Sequence, residues 1–413
     1  MKYKTDKHSF NLLAKMPRLR QVIRKNNILF YGIIIFMFTT GYIPLNFLIG
    51  KSRKLQIALH RKKDFSNLIK YEKRTLQPYF VKDDLKNVLV ETKLILFYTK
   101  FFGETDRHIA RSDQIFNRCP IEYRCKLTED KSLMVKSSAV ILHARDIYGG
   151  PMMGLPKERS DDQRWIYYNL ESPSYMASPA WTFNGVFNWT MTYKLESDIP
   201  IPYGHMEETV DHTIQKPKLD TKFKLAFWRV SNCETLSLRE KFVEDLQNYI
   251  PVDIYGQCGD LKCEINDSSL CDEFFSKHYK FYIAFENSLC RDYITEKPWK
   301  ILESMDVVPI VMGNADYTKH LPRGSYIDVR DFKTPETLAR HLIWLDQNDE
   351  AYLKHFSWRS HSIATMNDYP SWCKLCEMLH NRSLPRQVYN NLGDWFKPES
   401  DCITPRQFLP SWT

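Results

Sequence analysis

Three polar clusters in this chain each follow an apolar run, and their residue types are those that move protons or hold anions. The first is Asn169-Leu170-Glu171-Ser172-Pro173-Ser174, closing the aromatic run Trp165 to Leu170. A carboxylate at a strand end is placed to take a proton from a hydroxyl as a general base. The plainer alternative is a strand-end Glu with a structural role. The second cluster is Ser231-Asn232-Cys233, with Arg239 following near the amino end of a helical stretch. A helix N-terminus beside a guanidinium suits an anionic ligand, although a solvated helix charge has the same pattern. The third is Glu286-Asn287-Ser288, then Asp292-Tyr293-Ile294-Thr295-Glu296-Lys297-Pro298-Trp299. Here Thr295 is the expected N-cap of a helix with Pro298 in its first turn, leaving Glu296 and Lys297 at the helix mouth. That end offers a carboxylate for sugar hydroxyls and an ammonium for a phosphate; ordinary capping is the alternative.

Two absences narrow the chemistry. No Asp-x-Asp pair and no glycine-rich Walker loop occurs in the chain, so neither usual device for holding a nucleotide diphosphate is present. Any diphosphate would be stabilised by protein cations and backbone donors, with Arg239 and Lys297 as the candidates. No metal site and no cofactor is expected from the residues.

The elements that must position these clusters are legible as apolar runs. Leu94 to Tyr98, Ala139 to Leu142, Trp165 to Leu170, Leu225 to Val230, Val252 to Tyr255, Phe281 to Phe285 and Val307 to Met312 have the length and composition of buried strands. Leu238 to Ile250 carries an apolar helical stripe, and Pro335 to Leu345 is an expected helix with Thr334 as its N-cap. Alternation of strand and helix from Phe223 to about Leu345 predicts a parallel sheet flanked by helices, with ligands at the carboxyl ends of the strands. The half before Pro217 is mixed α/β and less regular, and His212 to Asp220 is the expected linker.

The chain has 413 residues, 43% hydrophobic and 26% charged, which is ordinary for a globular protein. Its net charge of +8 is concentrated in basic clusters on either side of Ile28 to Ile49, a stretch without a charged residue. As a helix that stretch spans roughly 33 Å, enough for a bilayer. The basic residues therefore fit membrane flanks and not a nucleic-acid footprint. An uncleaved signal anchor fits better than a cleaved signal peptide, whose apolar core is shorter. Asn-x-Ser/Thr acceptors at Asn188, Asn266 and Asn381 and ten cysteines, all beyond the apolar stretch, point to an oxidising secretory lumen. Zinc at Cys373-Lys374-Leu375-Cys376 is the rival to disulfides, but no second pair or histidine spacing completes a ligand set.

Tyr279-Lys280-Phe281-Tyr282-Ile283-Ala284-Phe285-Glu286-Asn287-Ser288 with Asp292 to Lys297 resembles the donor-site signature of the α-1,3-fucosyltransferases, glycosyltransferase family 10. Val308 to Gly313, Trp228 to Asn232 and Val252 to Gly256 are similar to the same family. So are Glu171 to Ser174, Phe187 to Tyr193, Ser197 to Pro200 and Pro202 to Gly204 in the first half. The resemblance implies a GT-B architecture, two Rossmann-like domains facing a cleft, and the residues themselves put one N-terminal transmembrane helix and a stem before it. The expected division is a cytoplasmic tail at 1–27, the anchor at 28–49, the stem at 50–93, an acceptor-side domain at 94–216, and a GDP-fucose domain with C-terminal segment at 217–413.

By motif position, the resemblance makes Glu171 the catalytic base. Arg239 and Lys297 would stabilise the diphosphate, with Asn287, Tyr293 and Glu296 lining the donor site and Ser231 and Asn232 as further donor-loop residues. Cys119, Cys125, Cys373 and Cys376 become disulfide candidates, without assigned pairs. The implied activity is inverting transfer of L-fucose from the co-substrate GDP-fucose to an N-acetylglucosamine hydroxyl of a glycan, by a single-pass type II Golgi membrane protein. Pro298 departs from the bulky apolar residue that often follows the family's Glu-Lys pair. A noncatalytic Golgi protein retaining the fold and a transferase for another nucleotide sugar are the rival readings.

Overall fold

The computed structural model of the protein describes residues 91–412, apart from 105–111, 121–122, 148–153, 177, 211–215 and 264–267. The expected tail, anchor and nearly all of the stem lie outside the described residues, and among the described residues no helix is long and apolar enough to cross a membrane.

Short apolar runs lack the alternation of a half-solvated sheet, so both of their faces must be covered, which is the situation of a parallel sheet under helices. Two such sheets form. The first has strands β1 (Lys93–Phe97), β2 (Cys125–Thr128), β3 (Ala139–His143), β4 (Arg164–Asn169), β5 (Trp189–Thr192) and β6 (Ile199–Pro200), in the order β2-β1-β3-β4-β5-β6. Every pairing in it is parallel. After β7 (His205–Glu208), the second sheet takes β8 (Lys224–Arg229), β9 (Val252–Tyr255), β10 (Tyr279–Phe285), β11 (Val308–Met312) and β12 (Ile327–Asp328) in the order β12-β11-β10-β8-β9, again all parallel. β7 pairs antiparallel with β13 (Ser362–Thr365).

The two faces of the second sheet bury alternate residues, as the period of a strand requires. One face packs Ala226, Trp228, Phe281, Ile283 and Ile310 against helices α1 (Arg239–Gln247) and, later in the chain, Pro335–Asp346. The other packs Phe227, Tyr282, Ala284 and Val311 against α2 (Ser268–His278) and α3 (Glu296–Ser304). The Pro335–Asp346 helix, α4, starts as its sequence requires: the Thr334 side chain accepts from the Thr337 amide and the reciprocal bond completes a capping box.

The segment after β13 belongs to both halves. Helix α5 (Tyr369–His380) lays Trp372, Leu375 and Cys376 on one face of the first sheet, against Ile95, Phe97 and Tyr168. Disulfides Cys119–Cys373 and Cys125–Cys376 fasten it there. The chain then returns, and Phe408 and Leu409 close the core under α1 and α4. All ten cysteines are paired, the others as Cys233–Cys258, Cys263–Cys271 and Cys290–Cys402. With both cysteines of the Cys373-x-x-Cys376 run in disulfides, the zinc alternative has no thiolates. The group Cys125, Cys376 and His380 is likewise a disulfide beside an imidazole.

Where the first half runs toward the second, Gly204 faces α3 so closely that a Cβ there would lie 2.5 Å from the Trp299 ring. Trp299 is 1% exposed and has no room to retreat. Gly204→Ala is expected to cost about 1–3 kcal/mol by overpacking, read as a lower denaturant midpoint, and pairing it with Trp299→Phe should recover part of the loss.

Candidate active site

The carboxyl end of β10 carries the central polar knot. All seven residues of this strand are buried, and the next one, Glu286, is a carboxylate with no exposed surface. Burying a charge is costly unless donors meet it. Glu286 accepts from the Thr295 amide at 2.8 Å, the Thr295 hydroxyl at 2.7 Å and the Lys297 ammonium at 3.0 Å. The expected N-cap is thereby corrected in detail: Thr295 occupies the N-cap position of α3 but makes no side-chain cap bond. Its hydroxyl serves Glu286 instead, and the first turn of the helix is held by a strand end.

Lys297 therefore stands at the mouth of α3 with its ammonium fixed between Glu286 and Glu296, 3.5 Å away. Burial works against its charge, but the two carboxylates outweigh it and the amine sits above its ordinary range. Desolvation likewise opposes ionisation of Glu296, and Lys297, the local amide and Thr295 overcome it, leaving that carboxyl below its ordinary range. Both residues line a cavity of about 460 Å³ beyond the carboxyl ends of β8 and β9. Ser231, Lys262 and the rings of Tyr255 and Tyr282 share that lining. Arg229 and Lys300 also line it, both paired with Asp272. A concavity with aromatic walls and an excess of cations suits an anionic ligand with a planar part.

Glu171 comes from the other sheet, just past β4. Asn169 clamps its loop, donating to the Glu171 carbonyl at 2.6 Å and accepting from its amide at 3.3 Å, and Tyr203 donates to the Leu170 carbonyl at 2.8 Å. Burial raises the Glu171 carboxyl above its ordinary range, against the pull of Arg145, Lys297 and the Tyr293 hydroxyl. Tyr293 donates to Glu171 Oε2 at 3.3 Å. Its own phenol, buried and near carboxylates, is held well above its ordinary range and so keeps its proton. Close by, Ser172 and Ser288 hydroxyls meet at 2.7 Å across the two halves.

The expected site residues thus fall into two sets. Glu171, Tyr293, Glu296, Lys297 and Ser231 converge on the cavity and the seam beside it. Tyr293, expected to line the donor site, does not line this cavity. It is 1% exposed, packs edge-on to Tyr193 in the core of the first half, and orients Glu171. Asp292, at φ 58°, makes the left-handed turn before it, a conformation that Asp tolerates. Arg239 is also set back from the cavity. It is 4% exposed, donates to the Phe285 carbonyl at 2.8 Å and the Asn232 carbonyl at 3.1 Å, and lies over Trp228. Asn232 is exposed and contributes that carbonyl; Asn287 accepts at its backbone from the Ser237 amide, outside the cavity lining.

Sequence reasoning missed the roles of Glu286 and Arg145. Glu286 stood in the recognised run, but only its burial reveals it as the anchor of Lys297. Arg145, which donates to the Tyr175 carbonyl beside the Glu171 loop, gave no signal in spacing. Among the glycan acceptors, Asn188 is corrected: it is fully buried, accepting from the Trp165 amide at 2.8 Å and donating to the Gln387 carbonyl at 2.7 Å. Asn266 lies outside the described residues, and Asn381 is exposed at the end of α5.

Two family profiles match the chain: "Fucosyltransferase, N-terminal" over residues 90–204 and "Glycosyltransferase family 10 (fucosyltransferase) C-term" over residues 219–395. The chain is 32% identical to an alpha-(1,3)-fucosyltransferase C of Drosophila melanogaster, covering 74% of this chain and 78% of that one. A Homo sapiens 4-galactosyl-N-acetylglucosaminide 3-alpha-L-fucosyltransferase is 36% identical, over 74% of this chain and 80% of its own. A Drosophila melanogaster glycoprotein 3-alpha-L-fucosyltransferase A is also 36% identical, and the chain spans 62% of its length. A solved alpha1,3-fucosyltransferase with GDP-fucose aligns at TM-score 0.48 and 16% identity, over 73% of this chain and 95% of that one.

The anchoring of Lys297 has a direct test in stability. Glu286→Gln removes the charge that three donors surround and is expected to cost about 3–5 kcal/mol in chemical denaturation, as for one partner of a buried pair. Glu296→Gln, on a half-exposed side chain, should cost less than about 1 kcal/mol.

Proposed function

Because this chain belongs to glycosyltransferase family 10, the fucosyltransferases, we propose that it is an α-1,3-fucosyltransferase, moving L-fucose from GDP-fucose to an N-acetylglucosamine hydroxyl of a glycan. The observation that carries this reading is the pairing of Glu171, a carboxylate raised by burial, with Lys297, a fixed cation, across one seam. A glycosyl transfer in which a hydroxyl displaces a diphosphate needs a proton acceptor on one side of the sugar and positive charge on the other.

In the proposed reaction the acceptor hydroxyl attacks the anomeric carbon of fucose while Glu171 takes its proton. The bond from that carbon to the GDP oxygen breaks, the electron pair leaves with the diphosphate, and the configuration inverts. Lys297 meets the charge that develops on the leaving group, and Glu296 bonds hydroxyls of the donor. Arg239 acts chiefly by holding the loop after β8 against the end of β10. The two parallel sheets support a GT-B arrangement, with GDP-fucose carried by the second and the acceptor by the first. Five disulfides and the exposed Asn381 support a lumenal catalytic region, and the apolar stretch at 28–49 is the proposed Golgi anchor.

Two measurements test the assignment. With GDP-fucose and an N-acetylglucosamine-terminated acceptor, Glu171→Gln is expected to lower kcat about 10²–10⁴-fold while the protein stays folded. Lys297→Ala should lose turnover and weaken GDP binding; retention of full activity by either variant would sink the mechanism.

The pH profile gives the second. Glu171 must be ionised to act, so activity rises as pH increases through its pKa, and the acid limb of kcat/KM should lie above the ordinary Glu value of about 4.3. Tyr293 donates to the charged form, so Tyr293→Phe should move that limb to still higher pH. An unmoved or lowered limb would contradict the role given to Tyr293.

A further inference from the structure

Beyond the reacting groups, a second concavity of about 570 Å³ is lined by Pro173, Ser174, Trp181 and Asn184 from the chain after β4 and by Asn391, Asp394 and others of the C-terminal segment. Its lining includes Pro173 and Ser174, two and three positions past Glu171 in the same loop. Its most prominent side chain is Trp181, which is 64% exposed.

That indole stands on a rigid mount. Ala180 and Phe183 of the same short helical turn are buried at 3% and 0%. The Gly393 amide donates to Asn184 Oδ1 at 3.0 Å, and the Gly185 amide donates to the Tyr389 carbonyl at 2.8 Å. Gly393 lies so near that a Cβ on it would be 2.4 Å from the Trp181 Cβ. The backbone is clamped from both sides while the ring remains outside. In the same lining, Asp394 pairs with Lys397 at 2.9 Å and accepts from Asn391, and Glu399 is exposed.

The chemistry of this lining selects a class of ligand. A flat exposed ring offers a face for the C–H side of a sugar, and amide and carboxylate groups around it match hydroxyls. The Asp394–Lys397 pair neutralises itself and Glu399 leaves a single formal negative charge in the lining, an acceptor for hydroxyls that disfavours an acidic peptide. We propose that this concavity holds sugar residues of the acceptor glycan beyond the one that is fucosylated, with Trp181 stacking on one of their rings. This rests on the fucosyltransferase reading and deepens it, by assigning a part of the acceptor side.

The test compares Trp181→Ala and Trp181→Tyr with the unaltered protein on two acceptors, a single-ring N-acetylglucosamine glycoside and an N-glycan oligosaccharide. Trp181→Ala should raise KM for the oligosaccharide about tenfold, the loss typical of a stacking anchor, with kcat little changed. KM for GDP-fucose and for the single-ring acceptor should not move, and Trp181→Tyr should restore most of the oligosaccharide affinity. Equal effects on both acceptors, or none, overturn the proposal. If the unaltered protein transfers fucose to neither acceptor, the transferase reading fails separately, and calorimetric titration with the same oligosaccharide decides the subsite. Binding lost in Trp181→Ala supports it, and binding unchanged or absent overturns it.

Discussion

A carboxylate without exposed surface is tolerable only where donors surround it, and much of the site is organised by that requirement at Glu286. The strand before it is buried along its whole length, so the carboxylate cannot turn to solvent. Its amide is bonded to the Met312 carbonyl of the neighbouring strand, and Gly313 follows there with the Tyr317 hydroxyl so close that a Cβ would lie 2.4 Å from it. The donors must therefore come to it. Thr295 supplies two and Lys297 the third, which fixes both the start of α3 and the position of the ammonium. A flexible lysine on a solvent-facing helix would lose side-chain entropy on binding an anion; one already tethered loses less.

The same logic joins the halves. Cys290 and Tyr293, from the loop after β10, belong to the core under the first sheet, and the Cys290–Cys402 disulfide ties that loop to the returning C-terminal segment. Lys194, fully buried, bonds Asp401 of this segment and donates to the Trp395 carbonyl at 2.8 Å. Thus the tyrosine that orients Glu171 is carried by the sheet that also carries Lys297. Glu171 and Lys297 are positioned by one connected set of contacts, as their proposed roles of base and cation require.

Much of this was legible because it is local. The runs Val252 to Tyr255, Phe281 to Phe285 and Val307 to Met312 lie within a residue or two of the observed strands, and Thr334 caps α4 as its context implies. Glu171, Glu296 and Lys297 could be chosen from the stretches in which they stand. What failed was whatever depends on a partner far along the chain. Thr295 has the composition of an N-cap, yet its hydroxyl answers to Glu286. Asn188 has the pattern of a glycan acceptor, yet its amide closes a gap against Gln387. Spacing records which groups are present and cannot say which buried atom needs them.

That distinction also separates the surroundings of Lys297 from those of Glu171. The residues around Lys297 come largely from one continuous stretch, 279–301, in which strand, carboxylate, turn and helix follow one another. The surroundings of Glu171 are assembled from separate pieces: Arg145 after β3, the loop at 173–184, and a C-terminal segment that arrives after the entire second sheet has been made. The Glu171 loop itself is held from behind by Asn169 and Tyr203, and the turn that carries Trp181 by the Gly393 contact. Side chains on their outer faces can change without disturbing Glu286 or the start of α3. On the proposed reading, the division separates the residues that face the acceptor from the charge arrangement that serves the leaving group.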